Sequence, residues 1–508
     1  MPVRTGPAGS AEAAGVDDKK NSAIVAVLAL GGIVVALMQT LIIPIIPDLP
    51  DLVGASAGDT AWAITATLLA AAVATPVMGR LGDMYGKRRL LLVSLVILVA
   101  GSLIAAFATS LAPLVIGRAL QGFASGVIPL GMSLMRDIMA PEKLAGGVAV
   151  ISASLGVGGA LGMPLAAFIA QYADWHMLFW VSAGLGVLSF VLTVIVVPES
   201  HLRASGSFDY LGAVALSATL VSLLLAISKG ADWGWGSGLT VGLFVAAAVL
   251  AVAWVLWELR APRPLVDVRV AAGKQVLMTN VASVVFGFAM FAQSLVVPQI
   301  IEIPEFTGYG LGQSILVAGL AMAPGGLLMM AMAPVSSRIT MTVGPKYTLM
   351  TGAVVVGLGY LMGVFWMNSV WQLVVLSGII SAGIGLAYAA MPALIMGAVP
   401  PEETGAANSF NTLMRSLGTS FASAVAGVIV ASVTMEIGGA VLPSNSAFQI
   451  VMGAAAGASL VALVIAALLP KYRPSQGDEQ TVEVEAVEGA AGIAGEADDA
   501  EGLAASRA

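Results

Sequence analysis

Gly79-Arg80-Leu81-Gly82-Asp83-Met84-Tyr85-Gly86-Lys87-Arg88-Arg89 concentrates charge between two long apolar runs, and its residue types fix what it can do. The glycines permit a tight turn with φ > 0. Asp83 can accept backbone N–H bonds at a helix start or pair with a neighbouring guanidinium. A second group, Arg118, Gln121 and Gly122, lies inside an apolar run. A guanidinium there costs about 2.5–3.5 kcal/mol on insertion scales, so it should face a cavity or a partner. It keeps its proton, so Arg118 can tune a carboxylate or hold water but cannot itself carry a proton. Farther on, Gly156, Gly158, Gly159 and Gly162 precede Pro164; such small residues let helices approach closely, and the proline adds a kink. Asn408, Asn411 and Arg415, spaced by three and four, share one helical stripe. With Gln39, Gln121 and Gln293 they are candidates for the polar lining of a central cavity, and interhelical hydrogen bonding is the rival reading.

The acids define a second problem. None falls in the middle of an apolar run. Any proton-linked chemistry within such runs would need a buried group that changes protonation. The nearest candidates are Asp137, at the end of the run that holds Arg118, Asp48 beyond the first run, and Glu302 and Glu305 beyond the ninth. Each also reads as a solvated end residue. With no Cys and two His (His176 and His201, both in loops), neither a thiolate nor a histidine metal site is expected. No phosphate-binding P-loop occurs, so direct ATP drive is not expected, and no cofactor is implied.

The elements that must position these groups follow from composition. Apolar residues make up 58% of the 508 and charged ones 10%, against roughly 25% charged in ordinary soluble domains. Spanning hydrocarbon takes about 20 mostly apolar residues. Fourteen runs qualify: 24–46, 60–78, 90–108, 112–135, 145–171, 177–197, 210–228, 237–257, 275–297, 313–334, 346–366, 370–397, 405–432 and 447–469. With both termini cytoplasmic, nineteen of the 22 Lys and Arg fall in cytoplasmic segments. Lys229 alone lies outside, and Arg118 and Arg415 sit within runs. That is the bias expected of a protein threaded this way. The net charge of −7 belongs to the tail, where nine carboxylates between Asp478 and Glu501 face a single later base, Arg507. Rich in Ala, Gly and Glu, the tail reads as disordered.

The runs also repeat. Pro76-Val77-Met78-Gly79-Arg80, leading to Gly86 and Arg88, recurs as Pro334-Val335-Ser336-Ser337-Arg338, leading to Gly344 and Lys346. Ala140-Pro141-Glu142 with Gly158 recurs as Pro400-Pro401-Glu402 with Gly418. Met341 stands in the second copy where Asp83 stands in the first. The expected organisation is a cytoplasmic N-terminal tail (1–22), a six-helix half (23–197), two inserted helices (198–274), a second six-helix half (275–469) and the acidic tail (470–508).

The 79–89 segment resembles the signature loop of the major facilitator superfamily, and Arg118-x-x-Gln121-Gly122-x-x-x-Gly126 resembles that family's helix-four segment. The count of fourteen and the run Leu37-Met38-Gln39-Thr40-Leu41-Ile42-Ile43-Pro44 resemble the fourteen-helix drug:H⁺ antiporters, although Met38 stands where their Asp is usual. The Gly158–Pro164 segment resembles their helix-five motif and lacks its final glycines. The resemblance covers roughly residues 24–470. It implies an all-α membrane protein of the major facilitator fold, in which Gly79, Arg80, Gly82, Asp83, Gly86, Lys87 and Arg88 latch the halves in one state and release them in the other.

The expected function is therefore export of small amphipathic drugs or antibiotics by alternating access, coupled to protons, from a monomer in a bacterial plasma membrane. The alternative is an exporter of one metabolite or lipid with weak or no proton coupling. An enzyme would want clustered His, Asp or Cys and a sensor a folded soluble domain; neither pattern is present in the sequence. Nothing points to nucleic acid.

Overall fold

Each long apolar run becomes a helix in the computed structural model, which describes residues 7–46, 48–437 and 440–470. The acidic tail beyond residue 470 and the first six residues lie outside the described residues; from Pro7 the chain is helical as far as Thr40. Among the described residues, fourteen helical spans are long and apolar enough to cross a membrane. In chain order they are α1 (Lys20–Ile45), α2 (Gly58–Tyr85), α3 (Lys87–Ala106), α4 (Leu111–Ile138), α5 (Glu142–Tyr172), α6 (Met177–Val196), α7 (Tyr210–Trp233) and α8 (Gly238–Glu258). They continue as α9 (Lys274–Glu302), α10 (Ile315–Val343), α11 (Pro345–Phe365), α12 (Val370–Met396), α13 (Pro401–Ser432) and α14 (Asn445–Leu468).

The repeated sequence becomes repeated packing. Helix α1 packs on α5 as α9 packs on α13, α2 on α4 as α10 on α12, α3 on α4 as α11 on α12, and α3 on α6 as α11 on α14. Gly86 turns between α2 and α3 at φ +115°, and Gly344 turns between α10 and α11 at φ +98°. Side chains are rarely tolerated at such angles, which is why the two glycines recur. Buried apolar residues gather separately in each half: one cluster runs from Ala282 to Leu469, and two others occupy 24–197, joined by Met396. The halves meet where α5 packs on α10 and α13 packs on α2. Alanines at 149, 153, 333 and 389 form part of that seam. Side chains this small leave few interlocking knobs to resist sliding.

The inserted α7 and α8 pack on each other, and α7 lies against both α2 and α13. Only 17% of the apolar window of α8 is buried, so its apolar surface faces outward to lipid. A short antiparallel hairpin, β1 (Thr434–Ile437) with β2 (Ala440–Pro443), joins α13 to α14. The alternation Val433-Thr434-Met435-Glu436-Ile437 ahead of two glycines is a hairpin signal that counting apolar runs passes over; pairing the two strands satisfies the backbone of a linker between two helices.

Arg118 is 2% exposed and ties the first half together. Its guanidinium donates to the Met38 carbonyl (2.8 Å), the Ala63 carbonyl (3.2 Å) and Gln121 Oε1 (2.8 Å). The Gln121 amide then donates to Ser102 Oγ (2.9 Å). Met38 lies in the last turn before Thr40, where a helix carbonyl has no partner within its own helix. Of the two expectations for this residue, a cavity or a partner, the structure shows the partner: buried donors meet buried acceptors of α1, α2 and α4. Replacing Arg118 by Leu strands the Met38 carbonyl and Gln121 Oε1, while the Ala63 carbonyl keeps the Thr67 hydroxyl, at about 2–4 kcal/mol in total. We expect a melting temperature several degrees lower in a detergent thermal scan, and an unchanged curve would contradict this role.

Candidate functional site

Two features stand out between the halves, one at each end. At the end that carries the α2–α3 turn, Asp83 is fully buried. One carboxylate oxygen accepts the Gly405 N–H (3.0 Å) and the other the Ala406 N–H (2.7 Å). Both donors belong to the first turn of the helix Thr404–Ser432, whose leading N–H groups have no partner within the helix. A carboxylate there also gains from the helix dipole. The geometry needs bare backbone: a Cβ on Gly405 would stand 2.5 Å from Asp83 Oδ1 and 2.9 Å from the Gly79 carbonyl, and one on Gly79 would stand 2.6 Å from the Gly405 carbonyl.

A polar cluster continues from Asp83. Lys87, 1% exposed, donates to Asp137 Oδ2 (2.7 Å) and Thr404 Oγ1 (3.1 Å) and lies 3.5 Å from Asp83 Oδ1. The Thr404 hydroxyl donates to the Pro401 carbonyl (3.0 Å), which leaves its oxygen to accept from Ser133 at 2.5 Å. Ser200 donates to Asp137 Oδ2 (2.5 Å), and Arg136 reaches the Val399 carbonyl at 3.3 Å. Asp137 is thus no solvated end residue: its side chain is 1% exposed and paired with the one ammonium that it shares with Asp83. Of the remaining loop residues, Gly82 abuts the Leu130 side chain and Gly86 abuts Arg203. Arg80 is buried and lines a small cleft with Glu403. Arg88 turns away to donate to the Val194 carbonyl (2.7 Å) in the last turn of α6, the favourable place for a cation.

Toward the opposite end a cavity of about 370 Å³ lies among α1, α5, α9, α10 and α12. Met163, Met290, Met322 and Met329 supply apolar wall, while Gln293 and Glu302 supply polar groups. Glu302 ends α9 rather than following it. It is the one charged residue among the described lining residues. The helix-five glycines divide by direction. Gly158 meets the Ile33 carbonyl and Ala36 of α1, and Gly162 meets Leu37 and Thr40. Gly159 faces open space in the cavity. Pro164 sits where Gly319 of α10 comes closest.

Of the expected cavity residues, Gln293 alone lines it. Gln39 is exposed outside the lining. Asn411 instead donates to Asn280 (2.9 Å) and Ser283 (2.7 Å) of α9, and Arg415 stacks 4.7 Å over the Tyr388 ring. Asn408 is buried with neither side-chain atom bonded. Interhelical bonding therefore displaces the cavity reading for Asn411 and Arg415. Asp48, Glu302 and Glu305 are all exposed, as the reading of end residues expects; of the three, Glu302 also lines the cavity. Outside the spans, hydrogen bonds from His176 hold the Asp174 carboxyl below its ordinary range, and burial raises the Tyr309 phenol, which donates to the Pro443 carbonyl. Sequence reasoning missed Thr404, Ser133 and Ser200; hydroxyls give no signal until the chain is folded.

The sequence profile of the Major Facilitator Superfamily matches residues 28–340 and again 276–493. An uncharacterized MFS-type transporter of Mycobacterium tuberculosis is 28% identical over 416 residues, 81% of this chain and 59% of its own length. The chain thus spans less than two thirds of that relative. The tetracenomycin C resistance and export protein of Streptomyces glaucescens is 29% identical over 419 residues, 80% of this chain and 75% of its own. The crystal structure of the human organic anion transporter MFSD10 (TETRAN) shares the fold, with a TM-score of 0.61 at 16% identity over 88% of this chain and 99% of that one.

The absence of native cysteine makes a single introduced thiol an unambiguous probe. In a Ser133→Cys background the thiol should resist a water-soluble maleimide. Adding Gly405→Ala pushes a methyl into Asp83, a clash worth about 1–3 kcal/mol. Labelling should then quicken about tenfold, and no change would show that the Asp83 contact does not hold this end shut.

Proposed function

The chain belongs to the Major Facilitator Superfamily, and on that premise we propose that it exports small amphipathic drugs or antibiotics by alternating access, in exchange for protons. The observation that carries this reading is the Asp83 carboxylate of one half bound to the first-turn N–H groups of the other. It seals one end of the seam while a cavity remains toward the other. The distribution of Lys and Arg supports a bacterial plasma-membrane topology with the sealed end, and both termini, at the cytoplasmic face. This conformer is then the outward-facing one, from which substrate leaves.

Opening the sealed end requires Asp83 to give up two charge-assisted hydrogen bonds, each worth about 1.5–3 kcal/mol. A ligand can shift the balance only by what it gains in one state over the other. Glu302, in the cavity, can take either a proton or the positive end of a substrate, and mutual exclusion at one carboxylate is the simplest form of exchange. Export of an antibiotic fits the name of the Streptomyces relative. A bilayer and a small amphipathic substrate are the partners this scheme needs, and a monomer suffices for it.

The test is dye uptake into inverted membrane vesicles with an imposed pH gradient. Accumulation should collapse on adding a protonophore. Uptake that ignores the protonophore would replace proton antiport with uncoupled export of a narrower substrate, a reading favoured by the lack of a mid-span carboxylate. In the same assay Asp83→Asn should lower the transport rate about tenfold or more at unchanged expression, since it removes the charge from both hydrogen bonds. Normal transport would reduce the loop to a topology signal.

A further inference from the structure

The cavity holds a polar group whose direction the protein has fixed. Gln293 is 5% exposed and lines the cavity on α9. Its amide nitrogen donates to Ser377 Oγ (2.7 Å) and Ser381 Oγ (3.1 Å) and lies 3.4 Å from the Ser377 carbonyl. A carbonyl can only accept, so the nitrogen, and not the oxygen, faces α12. The oxygen Oε1 is buried with no partner in the protein. The backbone beneath is pinned as well. The Tyr360 hydroxyl receives the Gln293 N–H (3.1 Å) and donates to the Ala289 carbonyl, bridging two groups that an unbroken α-helix joins directly. A buried acceptor left unpaired is costly, and a ligand that supplies a donor removes the cost.

The rest of the cavity narrows what that ligand is. Its described lining offers no cationic side chain; its one charged group is Glu302, nine residues on from Gln293. Along a helix that separation is about 14 Å. Methionines at 163, 290, 322 and 329 present deformable, polarizable surface suited to flat apolar rings. We infer that Gln293 is a specificity-determining residue, whose fixed amide oxygen selects amphipathic cations carrying an N–H donor on the end remote from Glu302. The inference rests on the exporter reading and deepens it, by assigning that cavity a substrate class.

A matched pair of fluorescent dyes tests it. Rhodamine 6G and tetramethylrhodamine ethyl ester are both flat lipophilic monocations; the first bears two N–H groups and the second none. Equilibrium binding to the purified full-length chain in nanodiscs, read by fluorescence polarization, should favour rhodamine 6G. Gln293→Leu should weaken rhodamine 6G about tenfold while leaving the ester within about twofold, so that the preference vanishes. Glu302→Gln should weaken both dyes alike. Ser377→Ala with Ser381→Ala keeps Gln293 but frees its amide to turn, and should also erase the preference. That double variant decides the matter if Gln293→Leu fails to fold. An unchanged preference in Gln293→Leu or in the double variant, or no binding of either dye by the parent chain, overturns the inference. Vesicle transport is measured separately: binding with the expected selectivity but no uptake would overturn export and leave Gln293's role standing.

Discussion

A carboxylate from one half of the chain completes the first turn of a helix in the other half, and the architecture is arranged around that contact. Asp83 can reach the Gly405 and Ala406 N–H groups only because Gly79 and Gly405 have no side chains to hold the two helices apart. The contact is strong where it stands, with both oxygens used and the group dry. Yet it is made only to backbone donors, and those donors can turn to water when the helices part. Lys87 and Asp137 add a second layer: two carboxylates share a single ammonium beside the helix N-terminus, with the guanidinium groups of Arg80 and Arg136 close by. A latch built this way is tight but separable.

The remainder of the molecule divides into bonds that keep each half rigid and surfaces that let the halves slip. Within the first half, Arg118, Gln121 and Ser102 run a chain of buried donors and acceptors from α1 to α3. Within the second, Tyr360 is driven into the backbone of α9, and Asn411 bonds α13 to α9. Where α5 meets α10 and α12, by contrast, alanines and glycines predominate: Ala149, Ala153, Ala333 and Ala389, with Gly326 against Gly156, whereas α2 and α13 share larger apolar side chains such as Val77, Phe410 and Leu413. Polar bonds are directional and resist shear, whereas contacts between small apolar groups do not. That contrast is what rigid halves around a moving centre require.

The spans were legible in sequence because bilayer thickness dictates length and hydrocarbon dictates composition; the helices begin and end close to the apolar runs, except that α2 and α10 continue to Tyr85 and Val343, past the runs that end at 78 and 334. The duplication was legible too, since Gly86 and Gly344 must recur where φ is positive. Asp83's chemistry could be foreseen, but not its partner. Gly405 and Ala406 lie more than 300 residues away and contribute only backbone, which carries no signature. Asp137 looked like a solvated end residue because nothing in its neighbourhood reveals that Lys87 will cover it. Arg415 and Asn411 share a stripe as their spacing required, yet a stripe does not say whether it faces a cavity or a neighbouring helix. Gln293 and Asn411 are alike as polar residues in apolar runs, and the amide nitrogen of each bonds a neighbouring helix; only packing leaves the Gln293 oxygen buried without a partner.

The inserted pair shows the same logic at the edge of the bundle. At the end remote from Asp83, the buried Lys229 donates to the Gly58 carbonyl at the start of α2 (2.9 Å), pairs with Asp232 (3.0 Å) and lies 5.7 Å from the centre of the Trp62 ring. These are directional contacts, and they bind α7 to the first half. Toward α13 the contacts differ in kind: Trp254 stacks on Phe410 at 6.5 Å, and Leu413 joins the surrounding apolar cluster. Trp254 is itself steadied by donating to Glu258 at the end of α8 (2.8 Å). The inserted helices are therefore bonded to one half and merely packed on the other. A pair held equally to both would bridge the seam and oppose any rearrangement across it. Fastened on one side only, it can shield the flank of α2 and α13 from lipid while leaving the separation of the Asp83 contact unopposed.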